Sequence, residues 1–394
     1  MKKNVTDYRI KNKRVIIRCD LNVPIKDGVI EDDTRIKRSV ETIQYLANGY
    51  AKVIILSHLG RIKEENDKKL YSLKPVCERL SKLLYKDIKF VPYTTGPEVE
   101  NAVNSMQPGD VIMLENTRFE DLNNKAESSN NPGLAKYWAS LGDIFINDAF
   151  GTIHRAHASN VGIASILPSG MGFLVKEEVE KISKALNKPN RPLAVILGGA
   201  KVSDKIGVIE NAVKIADYVL IGGGMPYTFF KALGYKVGIS LVDDSSLEFC
   251  KNIYSKYKNK IYLPEDIVVA TSMSEGSNTR NTSYNDIRDN EMGIDLGVNA
   301  ISRYKTFLMN SNTIIWNGPV GAFEIAKFSK GTRKLIEILS NCNANIVIGG
   351  GDTLSALNKF NFSNKKAFVS TGGGASLEML EGKELPGLKV ISEK

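Results

Sequence analysis

Short runs of apolar, mostly β-branched residues recur along the chain, and longer amphipathic segments separate them. Such short runs have the length of buried strands. The intervening segments, for example 178–187 and 333–341, have the spacing of helices with one apolar face. Strands that alternate with helices are typical of α/β proteins, in which helices cover both faces of a parallel sheet. The predicted strands are 14–18, 52–56, 110–114, 143–147, 193–197, 218–222, 267–270, 313–316, 345–349 and 367–370.

This number of strands exceeds one comfortable sheet of that kind, and the length of 394 residues fits two domains. We expect the division near residues 168–190. Pro168 and Gly170 precede a helical segment there, and the sequence KPNRP (188–192) follows it. A helix that joins two domains is a candidate hinge.

Polar residues follow the predicted strands of the first half. The carboxyl ends of parallel strands lie at one edge of a sheet, where ligands bind. The residues expected at this rim are Arg18, Asp20, Asn22, His58, Arg61, Arg118, His154, Arg155 and His157. A single arginine after a strand usually forms a surface ion pair, but four strand ends with Arg or His indicate a site for a small anionic metabolite. The pair His154 and His157 could bind a metal, although the cation Arg155 between them disfavours it.

Glycines follow the predicted strands of the second half. Glycine lets the backbone approach a ligand closely, and helix N-termini offer N–H groups to phosphates. Together with Lys201, Lys205 and Asp352, these glycines favour a site for a nucleotide with a metal ion. The chain has no G-x-x-x-x-G-K-[ST] loop and no complete G-x-G-x-x-G. The segments are GGAK (198–201), GGGM (222–225), NGPVG (317–321), GGGDT (349–353) and TGGGAS (371–376).

The two halves together predict a phosphotransferase, and two other functions remain open. A nicotinamide-dependent (NAD) oxidoreductase would share the α/β architecture, but it would carry the full glycine fingerprint that this chain lacks. A non-catalytic nucleotide-binding protein would tolerate the loss of Lys205 and Asp352, and both are present. No G-x-S-x-G elbow occurs, so a hydrolase of that type is not indicated.

Composition limits the classes of partner and the cellular compartment that we expect for this protein. The net charge of +9 suits nucleic acid or acidic metabolites, and because no nucleic-acid-binding motif accompanies it, we expect no nucleic-acid partner. The four cysteines are far apart and form no Cys-x-x-Cys pair, which favours a reducing, cytoplasmic compartment. The N-terminal segment has no apolar signal core, and no apolar run approaches the length of a membrane span, so we expect no membrane partner.

Nine segments strongly resemble the motifs of phosphoglycerate kinases, in order from about residue 5 to about 391. They are RCDLNVP (18–24), SHLGR (57–61), LENTRF (114–119), NDAFGTIHRAHAS (147–159), LGGAKVSDKIGVIEN (197–211), IGGGMPYTFFKA (221–232), WNGPVGAFE (316–324), GGGDT (349–353) and STGGGASLEMLEGKELPG (370–387). The resemblance implies reversible phosphoryl transfer between 1,3-bisphosphoglycerate with ADP and 3-phosphoglycerate with ATP, a step of glycolysis. It also implies Mg²⁺ and a monomeric enzyme.

The resemblance further implies two Rossmann-like, doubly wound parallel-sheet domains joined by a hinge helix. The N-terminal domain, residues 1–170, would bind 3-phosphoglycerate. The helix would cover 171–188, and the C-terminal domain, 189–374, would bind the nucleotide. The tail from about 375 to 394 would return to the N-terminal domain.

The family's site residues carry over by position, as the resemblance implies. The 3-phosphoglycerate positions are Asp20, Leu21, Asn22, Arg35, His58, Leu59, Gly60, Arg61, Arg118 and Arg155. The nucleotide positions are Lys201, Lys205, Gly293, Asn317, Glu324 (toward the ribose), Gly350, Gly351, Asp352 (the metal ligand) and Thr353. The catalytic positions are Arg35, Lys201, Lys205, Gly372 and Gly373. The chain departs from the family pattern at Ile62, Pro226, Glu291 and Val298, and no departure removes a charge assigned to the chemistry.

The expected mechanism is direct in-line attack by a carboxylate that is already ionised at neutral pH, so no general base is required. The i, i+4 spacing of Lys201 and Lys205 predicts that both lie on one helix face. Lys205 would follow the phosphoryl group, Lys201 would assist on the nucleotide side, and Arg35 would reach in from the other domain. Hinge-bending domain closure would exclude water.

Overall fold

Nine of the ten predicted strands lie in two six-stranded parallel sheets in the computed structural model, which describes residues 1–394. One sheet belongs to a unit formed by residues 1–180 and 384–394, and the other belongs to a unit formed by residues 181–383. The predicted α/β class with two parallel-sheet domains is therefore confirmed. Three of the four edge strands, 89–91, 169–171 and 261–262, escaped prediction because two or three residues show no periodicity.

The strands are β1 Arg14–Cys19, β2 Ile25–Lys26, β3 Val29–Ile30, β4 Lys52–Leu56, β5 Lys89–Val91, β6 Val111–Leu114, β7 Ile144–Asp148, β8 Ser169–Met171, β9 Leu193–Leu197, β10 Tyr218–Ile221, β11 Ile261–Tyr262, β12 Asp266–Ala270, β13 Thr279–Ser283, β14 Met292–Leu296, β15 Thr313–Asn317, β16 Asn345–Gly349 and β17 Ala367–Val369.

The α-helices are α1 Thr34–Asn48, α2 Asp67–Leu70, α3 Lys74–Leu84, α4 Pro97–Asn104, α5 Pro132–Ser140, α6 Phe173–Asn187, α7 Ile206–Ile215, α8 Met225–Ala232, α9 Leu247–Tyr257, α10 Val298–Met309, α11 Lys330–Ser340, α12 Gly351–Lys359, α13 Gly374–Leu380 and α14 Pro386–Lys389. None of them combines the length and the hydropathy needed to cross a membrane.

The first sheet has the order β5-β6-β4-β1-β7-β8, and it buries both faces. Alternate residues of its strands enter two separate apolar clusters: Ile17 and Ile55 pack with α1 and α3, while Ile16 and Phe145 pack with α4 and α5. Alternation follows from the period of two in a strand. It explains why these strands are apolar throughout, as is usual for parallel sheets covered on both faces.

The second sheet has the order β11-β10-β9-β15-β16-β17. In chain order this is 3-2-1-4-5-6, the order of dinucleotide-binding folds, and it places the topological switch point between β9 and β15. Trp316 of β15 is fully buried in an apolar cluster with α10, α11 and α12. The carboxyl ends of β9 and β15 therefore lie side by side where a ligand is expected.

One predicted strand takes a different partner. Residues 267–270 were expected in a parallel sheet, but they belong to β12, the centre of a three-stranded antiparallel sheet with the order β13-β12-β14. The segments between these three strands contain no helix. A parallel crossover needs a connection of a dozen or more residues, usually helical, whereas short connections permit antiparallel pairing.

The C-terminal return begins later than expected. Residues 384–394 belong to the first unit, where Lys3 N donates to Ser392 O at 2.8 Å. Residues 375–383, which were expected in the tail, belong to the second unit because α13 packs on α7. The Asn211 side-chain amide of α7 donates to Leu380 O of α13 at 2.7 Å and adds a hydrogen bond to this contact. The boundary at residues 180 and 181 falls within α6.

Trp138 of α5 offers a test of the first core. Its side chain is fully buried, and its indole N–H donates to Thr94 O at 2.8 Å. Trp138→Ala should lower the free energy of unfolding by about 3–5 kcal/mol, because it leaves a large cavity and an unpaired carbonyl. Urea unfolding followed by circular dichroism measures the loss. Tyr85→Ala, at a side chain that is 97% exposed, is the control. An equal loss in the two variants would contradict the assignment.

Candidate active site

The first sheet brings the predicted basic residues to one edge. Arg18 is the penultimate residue of β1, His58 follows β4, Arg118 follows β6 and His157 follows β7. The Arg18 Nη2 atom lies 3.1 Å from His58 Nδ1. Arg118 and Arg155 are close enough to shift the pKa of His157. The strand-end pattern thus describes a real cluster, although these strands are far apart in the sequence.

Burial and the arginines keep the histidines of this cluster neutral. Burial, and next the charge of Arg18, hold the pKa of His58 well below its ordinary value. The same two causes lower the pKa of His157 to about 3. Arginine cannot release its proton in a protein. The positive charge of the cluster therefore resides on guanidinium groups, and the imidazoles act as neutral hydrogen-bonding groups near neutral pH.

Two buried polar atoms of the cluster have no partner within the protein, namely Arg118 Nε and His154 Nδ1. A buried donor left unpaired costs free energy unless a ligand or water satisfies it. Burial, and next Arg155, also lower the pKa of Arg118, as expected where cations are crowded together. Unpaired donors and crowded cations are what an anion-binding site presents before its ligand arrives.

Asp20 and Arg35 form an ion pair beside this cluster. Arg35 Nη1, from the first turn of α1, donates to Asp20 Oδ2 at 2.5 Å. The Asp20 carboxylate is buried, whereas the Arg35 side chain remains 36% exposed. Gly151 leaves room for the pair, since a Cβ atom at that position would lie 2.2 Å from Asp20 Oδ2. Arg35 is thus anchored at one end and accessible at the other.

Backbone contacts hold the SHLGR segment. Gly60 N donates to Asn22 Oδ1 at 2.9 Å, and Leu21 N donates to Ser57 Oγ at 3.1 Å. The Asn116 side chain forms two hydrogen bonds with the backbone of Leu59. Its oxygen accepts from Leu59 N at 3.2 Å, and its nitrogen donates to Leu59 O at 2.7 Å. Leu21 and Leu59 are buried, so their backbones contribute to the site. Arg61 and Arg155 are exposed on the same unit.

In the second unit, backbone hydrogen bonds join the segments that follow β9 and β15 at the topological switch point. Gly198 N donates to Asn317 O, and Gly199 N donates to Pro319 O, both at 3.0 Å. Gly199 has φ +116°, a conformation that favours glycine. A Cβ atom on Gly198 would lie 2.0 Å from Pro319 O. Only glycine permits this approach, which explains the abrupt end of the apolar run at residue 197.

The two lysines after this turn do not share a helix face. Lys201 is exposed in an irregular segment, Lys205 ends the 3₁₀ turn Ser203–Lys205, and α7 begins at Ile206. The i, i+4 expectation was wrong because Lys205 is the N-cap of the helix, with φ −134° and ψ 12°. Its ammonium group donates to the Asn317 side-chain oxygen. Burial lowers the pKa of Lys205 to about 8, and the charge of Asp352 opposes the shift.

A cavity of about 460 Å³ opens beside these residues. Gly293, Glu324 and Asp352 lie in its wall together with glycines of the segments after β9, β10 and β15. Its remaining wall is apolar, and sequence reasoning missed that part: Ile239, Leu241, Met273, Met292 and Ile294. A flat, largely apolar cleft with a few polar groups at one side is typical of small-molecule sites.

Two helix N-termini belong to the same unit. Gly350, with φ +103°, is the N-cap of α12, and the buried Thr353 hydroxyl accepts from Gly318 N at 2.8 Å. Gly373, with φ +51°, is the N-cap of α13, and Gly372 N donates to Ser370 Oγ at 3.1 Å. Free N–H groups at such ends favour phosphate.

The acidic groups fit only one kind of metal site. The structure shows no group of three or more His, Cys, Asp or Glu side chains that could hold a metal ion. Asp352 is exposed in the first turn of α12 and faces the cavity. Mg²⁺ usually binds one or two carboxylates together with substrate phosphates and water. A single carboxylate beside a nucleotide cavity fits that requirement.

Comparison with known proteins agrees with this arrangement. The family model described as phosphoglycerate kinase matches residues 5–383. Phosphoglycerate kinases of Enterococcus faecalis and Listeria innocua are each 51% identical, with both chains fully covered. The chain belongs to the phosphoglycerate kinase family. The solved phosphoglycerate kinase of Coxiella burnetii is 41% identical with a TM-score of 0.91, and each chain is 99% covered. That of Pyrococcus horikoshii is 30% identical with a TM-score of 0.83, covering 99% of this chain and 98% of that one.

Membership makes the chain an ATP-dependent phosphotransferase, as predicted. Phosphoglycerate kinases act on the small molecules 3-phosphoglycerate and ATP in glycolysis. Sequence reasoning missed several supporting residues. Asn116 and Ser159 lie within the LENTRF and NDAFGTIHRAHAS motifs and could have been suspected, but Glu127 carries no local signal.

Gly293 tests the space requirement of the cavity wall. A Cβ atom there would lie 2.0 Å from the ring of Tyr227, which is buried. Gly293→Ala should therefore lower the free energy of unfolding by about 1–3 kcal/mol, the range for overpacking. Gly276→Ala, where no heavy atom lies within 4 Å, is the control. Equal unfolding curves for the two variants would show that Tyr227 moves aside freely.

Proposed function

We propose that the basic cluster of the first unit binds 3-phosphoglycerate and that the glycine-walled cavity of the second unit binds ATP or ADP. The unpaired donor at Arg118 Nε within a crowded group of cations is the observation that carries the first assignment. Asp20, Asn22, Arg35, His58, Arg61 and Arg155 lie on the same unit, and guanidinium groups match the geometry of phosphate and carboxylate.

Lys205, Asp352 and the glycine N–H groups are assigned to the phosphates of the nucleotide. Asp352 would hold Mg²⁺, which supplies neutralisation of phosphate charge when it is bound. Gly372 and Gly373 precede α13, whose N-terminal N–H groups would face an anion. Gly293 and the apolar wall would contact the base, Glu324 would face the ribose, and Lys201, which is exposed, would assist from solvent.

The transfer itself needs charge neutralisation rather than proton abstraction. The attacking carboxylate is ionised near neutral pH, and the neutral imidazoles of the basic cluster are not required as bases. Two anions must nevertheless approach each other. Phosphoryl transfer is catalysed mainly by positioning and by stabilising charge on the equatorial oxygens. Lys205 and Arg35 are the cations assigned to this role, with in-line geometry and closure of the two domains during turnover.

A coupled assay for ADP formation tests the proposal directly. The protein with 3-phosphoglycerate, ATP and Mg²⁺ should produce ADP, and omission of 3-phosphoglycerate or chelation of Mg²⁺ with EDTA should abolish the signal. Arg118→Met retains much of the side-chain bulk but removes the cation. It should raise the KM for 3-phosphoglycerate at least tenfold, because hydrogen bonds between charged groups are the strong ones. An unchanged KM would remove Arg118 from the site.

The pKa of Lys205 gives a pH prediction. Its ammonium group is protonated below about pH 8 and neutral above it, because burial lowers the pKa to about 8. The kcat/KM for the nucleotide, which reports the free enzyme, should therefore fall as pH rises past about 8. Lys205→Arg keeps its charge and should lose this decline. Lys201→Arg, at an exposed position, should leave the pH of the decline unchanged. A flat wild-type profile to pH 9.5 would contradict the role.

Substitution of Arg35 tests whether this residue acts in phosphoryl transfer or in nucleotide binding. Arg35→Ala should reduce kcat by roughly a hundredfold, the cost of losing one donor to developing charge, and should leave the KM for ATP within about twofold. Lys37→Ala, on the exposed side of the same helix, is the control and should change neither constant. If Arg35→Ala instead weakens ATP binding while kcat stays normal, Arg35 belongs to the nucleotide site.

We also infer a monomer that works in the cytoplasm. All four cysteines are free and buried, which suits a reducing compartment.

A further inference from the structure

Glu127 is a buried carboxylate that the proposed chemistry does not use. Its side chain is fully buried. Its Oε2 atom accepts from Ser159 N at 2.9 Å, and its Oε1 atom accepts from the Ser159 hydroxyl. Burial raises the pKa of Glu127, while the charge of Arg18 and the bonds from Ser159 oppose that shift. A buried carboxylate is costly unless hydrogen bonds and a nearby cation stabilise it. Here Ser159 supplies two hydrogen bonds, and Arg18 supplies the charge.

The hydrogen bonds that start at Glu127 can run in only one direction. Both Ser159 donors, N–H and O–H, are taken by the carboxylate. The Ser159 oxygen is then left to accept, and it accepts from Arg18 Nε at 2.8 Å. Arg18 has donors only, so its Nη2 atom, 3.1 Å from His58 Nδ1, must donate to that nitrogen.

This direction determines the form of His58. A ring nitrogen that accepts carries no proton, and the proton of a neutral imidazole must then lie on Nε2. His58 Nε2 has no hydrogen-bond partner within the protein, while Arg18, Arg118 and Arg35 act on the same ring electrostatically. His58 therefore has one N–H donor, at Nε2, that remains free for an anion bound among the arginines of the basic cluster.

We propose that Glu127, through Ser159 and Arg18, is a positioning residue that holds His58 as its Nε2–H tautomer, ready to donate to the bound anion. Glutamine replaces Glu127 only in part, because its amide has a single acceptor atom and one of the two Ser159 donors then loses its acceptor. Ser159→Ala breaks the same chain in the middle, whereas Ser159→Thr keeps the hydroxyl. The role of His58 as a substrate contact rests on the proposed function, but its tautomer does not.

Nitrogen-15 NMR of the ring nitrogens tests the proposal on the whole protein without ligand. The chain has only three histidines, and His58→Gln identifies the signals of His58. In the wild type, Nδ1 should be unprotonated and Nε2 protonated at pH 7. Glu127→Gln and Ser159→Ala should produce a mixture of tautomers, and Ser159→Thr should retain the single form. Asp148→Asn removes another fully buried carboxylate of this unit and should leave the tautomer unchanged.

A proton on Nδ1 in the wild type, or an unchanged tautomer in Glu127→Gln, would overturn the proposal. An equal change of tautomer in Asp148→Asn and Glu127→Gln would also overturn the proposal, because a general loosening of the fold would then explain both changes. Kinetics test the proposed function separately. Glu127→Gln should raise the KM for 3-phosphoglycerate by roughly tenfold, the worth of one hydrogen bond to a charged group, and leave the KM for ATP unchanged. A shifted tautomer with an unchanged KM for 3-phosphoglycerate supports the relay and counts against His58 as a substrate contact.

Discussion

Parallel pairing of strands is the constraint on which both units depend. In each main sheet all strands run in one direction, so every carboxyl end lies at the same edge. Residues far apart in the sequence, such as Arg18 and Arg118, thereby become neighbours. The same constraint buries the strands on both faces and leaves the ends as the place where polar side chains can gather. Each unit uses its edge differently.

In the first unit, positive charges repel one another at this edge, and the repulsion is unfavourable for folding. Several guanidinium groups lie together, and none can be neutralised by losing a proton. The unit limits the repulsion in two ways. His58 and His157 stay neutral, since their pKa values are lowered by burial and by the arginines. The carboxylates of Asp20 and Glu127 lie among the cations and anchor Arg35 and Arg18. What remains is an edge that a metabolite with more than one anionic group would stabilise.

In the second unit, the main constraint at this edge is the space available to side chains rather than charge repulsion. At Gly198 and Gly293 a single methyl group would collide with a backbone oxygen or an aromatic ring. Its cavity wall is therefore built from backbone and apolar side chains, with Glu324 and Asp352 as its charged groups. Lys205 is held by Asn317, the last residue of β15, so that a long flexible side chain has a defined position. Preorganisation of this kind lowers the cost of binding.

The alternation of apolar runs and amphipathic segments by itself determined the α/β class and ten of the strands, because these patterns are local and repeat within a few residues. The family motifs added the activity. Only the tertiary structure decided that residues 266–270 pair antiparallel, that Lys205 caps its helix instead of lying on it, and that Glu127 supports Arg18 through Ser159. Each of these depends on a contact between segments distant in the chain, and local periodicity carries no information about which distant segments meet.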